Sequence, residues 1–213
     1  MKALWAETDL LAEIADYYSR KLAEHGDTPH GVDWNSEDSQ ILRFDQLCKI
    51  FDPEKPNFSV NDLGCGYGAL LDYLREKHQV SSYLGADISP EMIRRAEQRH
   101  ATSERTRFVT SAVPDQVADY GLASGICNVR LGRSDTEWFA YVKTILDVLD
   151  QTSSLGFAFN CLTSYSDENK KRPYLYYANP CQLFDLCKQG YSRNVALLHD
   201  YGLYEFTILV KKK

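Results

Sequence analysis

The chain has 213 residues, 44% apolar and 25% charged, the composition of a water-soluble globular protein with ample material for a core. A formal net charge of −6 excludes a general electrostatic attraction to nucleic acid or to an anionic membrane surface. Six cysteines without a C-x-x-C pair or a paired His/Cys spacing read as reduced thiols of a cytoplasmic protein, so neither disulfides nor a metal site is expected. No window approaches the apolar length of a membrane span, and the N-terminus lacks a signal core.

In chain order, Leu4, Leu11, Ile14, Ala15, Tyr18 and Leu22 fall at helical spacing. Turn formers from His25 to Gly31 end that helix. Val32-Asp33-Trp34-Asn35 follows, and Ser36 opens a second helix that Ile41, Phe44, Leu47, Cys48 and Phe51 carry to Pro53. A tryptophan in so polar a loop is costly unless its ring covers something. Trp34 therefore reads as a cover over a ligand or as a staple onto the core. Gln40 and Arg43 share one face of the second helix.

Phe58-Ser59-Val60 begins a strand, the glycine-rich run Asn61 to Gly68 turns, and Leu70, Leu71 and Leu74 mark a helix. Strand, glycine turn and helix let backbone N–H groups approach a nucleotide-like ligand. The glycines stand at 64, 66 and 68, so the third comes one position too early for a dinucleotide fingerprint, and Asp62 would repel a pyrophosphate. Val80 to Ala86 reads as a second strand ending at Asp87. That acid lies about twenty residues past the glycine loop, where a ribose-binding carboxylate belongs. Ser89-Pro90-Glu91 then opens a helix with an N-cap, a proline at the first position and an acid in the first turn.

Asp62-Leu63-Gly64-Cys65-Gly66-Tyr67-Gly68 resembles motif I of the class I S-adenosylmethionine (SAM) dependent methyltransferases, and Asp87-Ile88-Ser89-Pro90-Glu91-Met92 resembles their second motif. The resemblance implies that Asp62, Gly64, Cys65 and Gly66 wrap the methionine part of SAM, which carries a sulfonium and an ammonium but no phosphate. It implies Asp87 on the ribose hydroxyls and Ile88 and Met92 against adenine. It further implies a single domain over residues 1–213, with a helical lid (1–55) and an α/β core (56–213). The core would be a Rossmann-like, seven-stranded, mostly parallel sheet with a C-terminal antiparallel hairpin and helices on both faces. Within the lid, Trp34 would cover the cofactor and Arg43 could reach its methionine carboxylate, a surface ion pair being the alternative for Arg43.

Arg107 to Thr110 reads as the third strand. The family often places an acid just after it for the adenine amino group. Here Ser111-Ala112 stands instead, a departure that leaves the contact to the Ser111 hydroxyl or to backbone groups. Asp119 to Cys127 reads as the fourth strand, with Asn128-Val129-Arg130 at its carboxyl end, where open α/β sheets bind ligands. Asn128 is thus a candidate for the cofactor and Arg130 for the acceptor. Asn128 to Leu131 does not match the Pro-Pro motif of amino-methyltransferases.

Residues 134–151 have helical spacing, and Leu155 to Leu162 is a strand buried on both faces. The connection from Thr163 to Tyr177 is long enough to be functional, and its tyrosines point to packing or binding. Lys171 and Arg172 beside Tyr165, Tyr174, Tyr176 and Tyr177 suit a phosphate, carboxylate or sugar derivative, and equally suit a solvated charge run. A helix from Cys181 to Lys188 follows, with Cys181 read as core, then strands 195–198 and 205–210 around the hinge His199 to Tyr204. The terminal lysines 211–213 read as a solvated tail. His199, with Asp200 able to orient its ring, is the best candidate base, against a plain hairpin histidine without chemistry; His25 and His30 are weaker.

The sequence therefore leads to methyl transfer from SAM to a small polar acceptor with an anionic group, most simply on oxygen, with no nucleic-acid or membrane partner. A methyltransferase acting on tRNA or protein, a non-catalytic SAM-binding module and, more remotely, a nicotinamide dehydrogenase are the competing readings.

Overall fold

A computed structural model describes residues 4–34, 36–100 and 103–212, with side-chain burial from Asp9 onward; the Leu4 side chain, Asn35 and Lys213 of the sequence reading lie outside the described residues. Helices α1 (Leu4–His25) and α2 (Glu37–Leu47) precede strand β1 (Phe58–Leu63). Then come α3 (Ala69–Lys77), β2 (Val80–Asp87), α4 (Pro90–Arg99), β3 (Thr106–Thr110) and β4 (Ala118–Ala123). The chain continues through α5 (Asp135–Gln151), β5 (Ser153–Leu162), α6 (Pro180–Gly190), β6 (Asn194–Leu198) and β7 (Glu205–Lys211).

The helices start where side chains satisfy their free N–H groups. Ser36 and Ser39 form a capping box for α2, Ser89 Oγ accepts from Met92 N–H ahead of Pro90, and Ser134 with Glu137 caps α5. For α6 the cap is Asn179, whose Oδ1 accepts from Cys181 and Gln182 N–H. The helical period then turns Pro180, Leu183 and Cys187 inward and leaves Cys181 exposed, so Cys181 is not the core residue its flanks suggest.

The sheet runs β3-β2-β1-β4-β5-β7-β6. Six strands are parallel, and β7, antiparallel to both neighbours, closes the expected hairpin. Strand alternation sorts the core onto two faces. Phe58 and Val60 of β1, Tyr120 and Leu122 of β4 and Leu209 of β7 face α2, α3 and α4. Leu63, Ala123, Phe157, Phe159, Phe206 and Ile208 face α1, α5 and α6. The terminal lysines are not all free: Lys212 Nζ donates to the carbonyls of Asp150 and Ser153 and pairs with the Asp150 carboxylate at 2.9 Å.

One boundary shifts the site. Strand β4 ends at Ala123, because Gly125 takes a φ of 82° and turns the chain four residues before the apolar pattern suggested. Asn128 therefore sits in a turn, where its Oδ1 accepts from Leu162 N–H at 2.9 Å.

Candidate functional site

Strand order reverses between β1 and β4, and the crevice of an open α/β sheet lies at the carboxyl ends of such a pair. The loop after β1 enters it with Gly64, Gly66 and Gly68 at φ of 75°, 54° and 85°, conformations that favour glycine. The N–H groups of Gly64 and Cys65 both donate to Ala86 O, at 2.7 and 3.1 Å, which fastens the loop to the end of β2. Asp87 completes the attachment. Its Oδ2 accepts from Gly66 N–H at 2.9 Å and its Oδ1 from Ser89 N–H at 2.8 Å. Burial raises the Asp87 pKa, and those two N–H groups pull it back.

Two hollows adjoin this loop and share Tyr18, Gly64, Asp87 and Ile126. The first also has Asp62, Cys65, Gly66, Trp34, Met92 and Ser124 in its wall. The second is more apolar, with Ile14, Ile88, Ala112 and Ile145 around it and Ser111 at its edge. Met92 thus belongs to the hollow of the glycine loop rather than to the apolar one beside Ile88. Ser111 Oγ donates to Val113 O at 2.7 Å and is turned onto its own loop.

Asp62 is 2% exposed and accepts from Tyr83 Oη at 2.6 Å. Burial pushes its pKa up to about 7, the Tyr83 hydrogen bond opposes that rise, and the nearby Asp87 adds to it. Burial likewise pushes the Cys65 thiol well up, so it is a neutral wall residue. Ser124 Oγ is buried in the same wall without a hydrogen-bond partner. A cationic ligand with donors and acceptors at one end would answer both the buried carboxylate and the orphan hydroxyl.

A wider cleft, open to solvent, borders the first hollow through Tyr18, Val32, Trp34 and Gly125. Lys21, His25, His30, Lys170, Arg172 and Tyr177 lie along it. Tyr177 Oη accepts from the Arg172 backbone N–H at 2.8 Å, leaving its own proton free to be donated.

Several sequence candidates fall elsewhere. His199 is exposed and outside the cleft, with its ring 5.9 Å from Tyr165 and 6.0 Å from Phe206. Tyr165 is 70% exposed beside it. Lys171 pairs with Glu168 at 2.5 Å and stays out of the cleft. Arg130 holds the long connection in place, its Nε donating to Leu175 O at 3.2 Å while its N–H donates to Tyr174 O. Arg43 is buried in an ion pair with Glu205 and is already satisfied, and it does not line the hollow of the glycine loop. Trp34 is buried and stands between hollow and cleft. Tyr18, Ser124, Gly125, Ile126 and Lys170 carried no motif. The small pair Ser124-Gly125 directly after an apolar strand was the one available signal for that end of β4.

The family profile described as "Methyltransferase domain" matches residues 61–129, from β1 through the turn after β4. A Mycobacterium tuberculosis protein, Rv1506c, whose name classes it provisionally as a methyltransferase, is 60% identical over 155 residues, 73% of this chain and 93% of that protein. Among solved structures, magnesium protoporphyrin IX methyltransferase from Synechocystis PCC 6803, with bound SAM, superposes at a TM-score of 0.64 and 16% identity over 95% of this chain and 97% of that one. The N-methyltransferase NodS from Bradyrhizobium japonicum WM9, in complex with S-adenosyl-L-homocysteine, gives 0.65 and 14% over 93% and 97%.

Proposed function

Because this chain belongs to the class I SAM-dependent methyltransferases, we propose that its acceptor is a small polar molecule with an anionic group and that the methyl group goes to oxygen. SAM is the cofactor, and the residues present suit it: a buried carboxylate, an orphan hydroxyl, a glycine turn and an apolar pocket meet at one crevice. When bound, SAM supplies a methyl group already activated on sulfonium, so the protein's tasks are to bind, align and, for an alcohol or phenol, take up a proton.

In this reading Asp62, with Gly64, Cys65, Gly66 and Ser124, holds the amino-acid end of the cofactor. Asp87 accepts from the ribose hydroxyls, and Ile88 and Ala112 flank the base. The N-terminal helices act as the lid, through Tyr18, Val32 and Trp34. Asn128 acts indirectly, by capping the end of β5.

One observation carries the anionic acceptor. Lys170 and Arg172 line the cleft, and among the described residues neither has a carboxylate partner, whereas Lys21 beside them is paired with Asp33 at 2.9 Å. Two unpaired cations on a tyrosine-bearing wall suit a phosphate or carboxylate. An oxygen acceptor matches the cleft's chemistry: a carboxylate or phosphate needs no base, and for an alcohol His25 and His30, with rings 6.0 Å apart, are at hand.

The test is SAM labelled in its methyl group, incubated with the protein and a cell extract split into small metabolites and macromolecules. Label is expected in the small-metabolite fraction. The double variant Lys170→Ala/Arg172→Ala should lower it about tenfold at limiting extract, the effect of losing two partly solvated charged contacts. His199→Ala should leave it unchanged. Label confined to RNA or protein would overturn the small-molecule reading.

Asp62 sets a pH dependence. At about 7 its carboxyl changes charge within the working range, and only the ionised form attracts a cationic ligand. SAM affinity is expected to be about tenfold lower at pH 6 than at pH 8, following the ionised fraction. The ligand-free protein runs the other way. Its folded pKa lies above the unfolded value, so the unfolded state releases the proton first and Asp62's contribution to stability falls as pH rises from about 4 to 7. Calorimetric titration and melting curves of wild type and Asp62→Asn separate the two trends; an affinity slope that survives in Asp62→Asn would remove Asp62 as its source.

A further inference from the structure

Trp34, Arg43, Gly125, Asn160 and Glu205 come from five separate segments and close a ring of contacts where the cofactor hollow meets the cleft. The indole of Trp34 lies on Gly125: a Cβ there would stand 2.7 Å from Cη2 and nearer still to Cζ2. The guanidinium carbon of Arg43 lies 3.9 Å from the Trp34 ring centroid. Arg43 Nε donates to Glu205 Oε2 at 2.8 Å and Nη2 to Oε1 at 2.7 Å. Asn160 Nδ2 donates to Glu205 Oε2 at 3.0 Å, while Asn160 Oδ1 accepts from Gly125 N–H at 2.7 Å, which closes the ring.

Arg43, Asn160 and Glu205 are 6%, 0% and 1% exposed. A buried ion pair is seldom the most stable filling of such a space, since apolar side chains of similar volume commonly serve as well or better. What the pair supplies is direction. A bidentate fork fixes the guanidinium plane, and the fixed plane holds the indole stacked on it. Trp34 and Gly125 line both the hollow and the cleft, so the indole's position sets the passage between them.

We propose that the Arg43–Glu205 pair is a positioning device for methyl transfer: it holds the Trp34 indole as the partition that aligns the acceptor with the methyl donor and keeps bulk water from the cofactor. Arg43 and Glu205 act through Trp34. The inference rests on the cleft being the acceptor site, and it adds residues that no motif marks. Small misplacements of a bound partner cost rate far more than they cost affinity, so the signature is slow transfer with intact cofactor binding.

Three variants test it: Arg43→Met/Glu205→Leu, which fills the space with apolar groups; Arg43→Lys, which keeps the charge and loses the fork; and Trp34→Phe. The double variant is expected to stay folded, with a melting temperature lowered by the Asn160 Nδ2 donor that loses its acceptor, and to bind SAM within about threefold by calorimetry, yet to transfer labelled methyl at least about tenfold more slowly. Arg43→Lys should fall with it rather than rescue it. Trp34 emission, taken in each background as the difference made by adding Trp34→Phe, should become more accessible to acrylamide in both pair variants. A folded double variant with wild-type transfer and wild-type quenching overturns the proposal. Should the double variant fail to fold, Trp34→Phe decides: slow transfer at unchanged SAM affinity supports the partition, and wild-type transfer overturns it. If wild type itself transfers no label to any fraction, the acceptor reading fails separately, and the quenching comparison still decides whether the pair holds the indole.

Discussion

Asp87→Ala is expected to raise the dissociation constant for SAM at least about a hundredfold. The carboxylate holds Gly66 N–H of the glycine loop and Ser89 N–H of the α4 start, and it lines both hollows beside that loop. Hydrogen bonds to a charged group contribute about 1.5–3 kcal/mol each. Losing the ligand's share of them, together with a loop that is no longer held in shape, exceeds the roughly 2.7 kcal/mol that a hundredfold change requires. Asp87→Asn keeps one acceptor oxygen and the side chain's shape, so a smaller loss of about tenfold is expected. Calorimetric titration with SAM measures both, and melting curves of the ligand-free variants check that the fold persists. A Kd for Asp87→Ala within about threefold of wild type would be incompatible with the assignment.

Gly64→Ala is expected to cost about 2–5 kcal/mol of stability and to abolish measurable SAM binding. Gly64 has a φ of 75°, and a Cβ there would stand 3.3 Å from Ile126 Cβ and press directly on Ile126 Cγ2. The left-handed conformation costs a side-chain-bearing residue about 1–2 kcal/mol, and overpacking adds about 1–3 kcal/mol. Relief is available only by pushing Ile126, which borders both hollows, toward the space the cofactor needs. Gly132→Ala is the control: a Cβ there meets nothing within 4 Å, and its φ is not positive. Urea unfolding of the two variants, with and without SAM, should separate them clearly. Equal midpoints would mean that Ile126 yields freely and that the crowding argument is wrong.

The cofactor side of the crevice was legible because its chemistry is local. The loop from Asp62 to Gly68 and the strand end at Asp87 are each a few residues long, and strand pairing alone brings them together, Asp62 lying opposite Gly85 and Leu63 opposite Ala86. The sheet was legible for a similar reason, since apolar alternation and helix caps are local signals. The acceptor side was not. Arg43 looked free to meet a carboxylate, and the carboxylate it meets is Glu205, 162 residues further on. The apolar run from Asp119 to Cys127 looked like one strand, and a single positive φ at Gly125 moved its end to Ala123, which put Ser124 into the wall of the first hollow and turned Asn128 and Arg130 to structural work. His199 follows a strand whose residues are at most partly buried, and its ring stays outside the cleft. Trp34 was visible as a problem, an aromatic ring in a polar loop. Its answer required knowing which glycine lay beneath it.

The placement of β7 between β5 and β6 has a consequence for how the chain matures. Glu205 is the first residue of the last strand, and β6 has no place in the sheet until β7 pairs with β5. During synthesis the glycine loop and its Asp87 tether can form early, whereas the clamp over Trp34 waits for residues near the C-terminus. Contacts of such long sequence separation are the slow ones to close. Until β7 pairs with β5, Glu205 is not at the site, so the contacts that hold Trp34 close after those that shape the glycine loop.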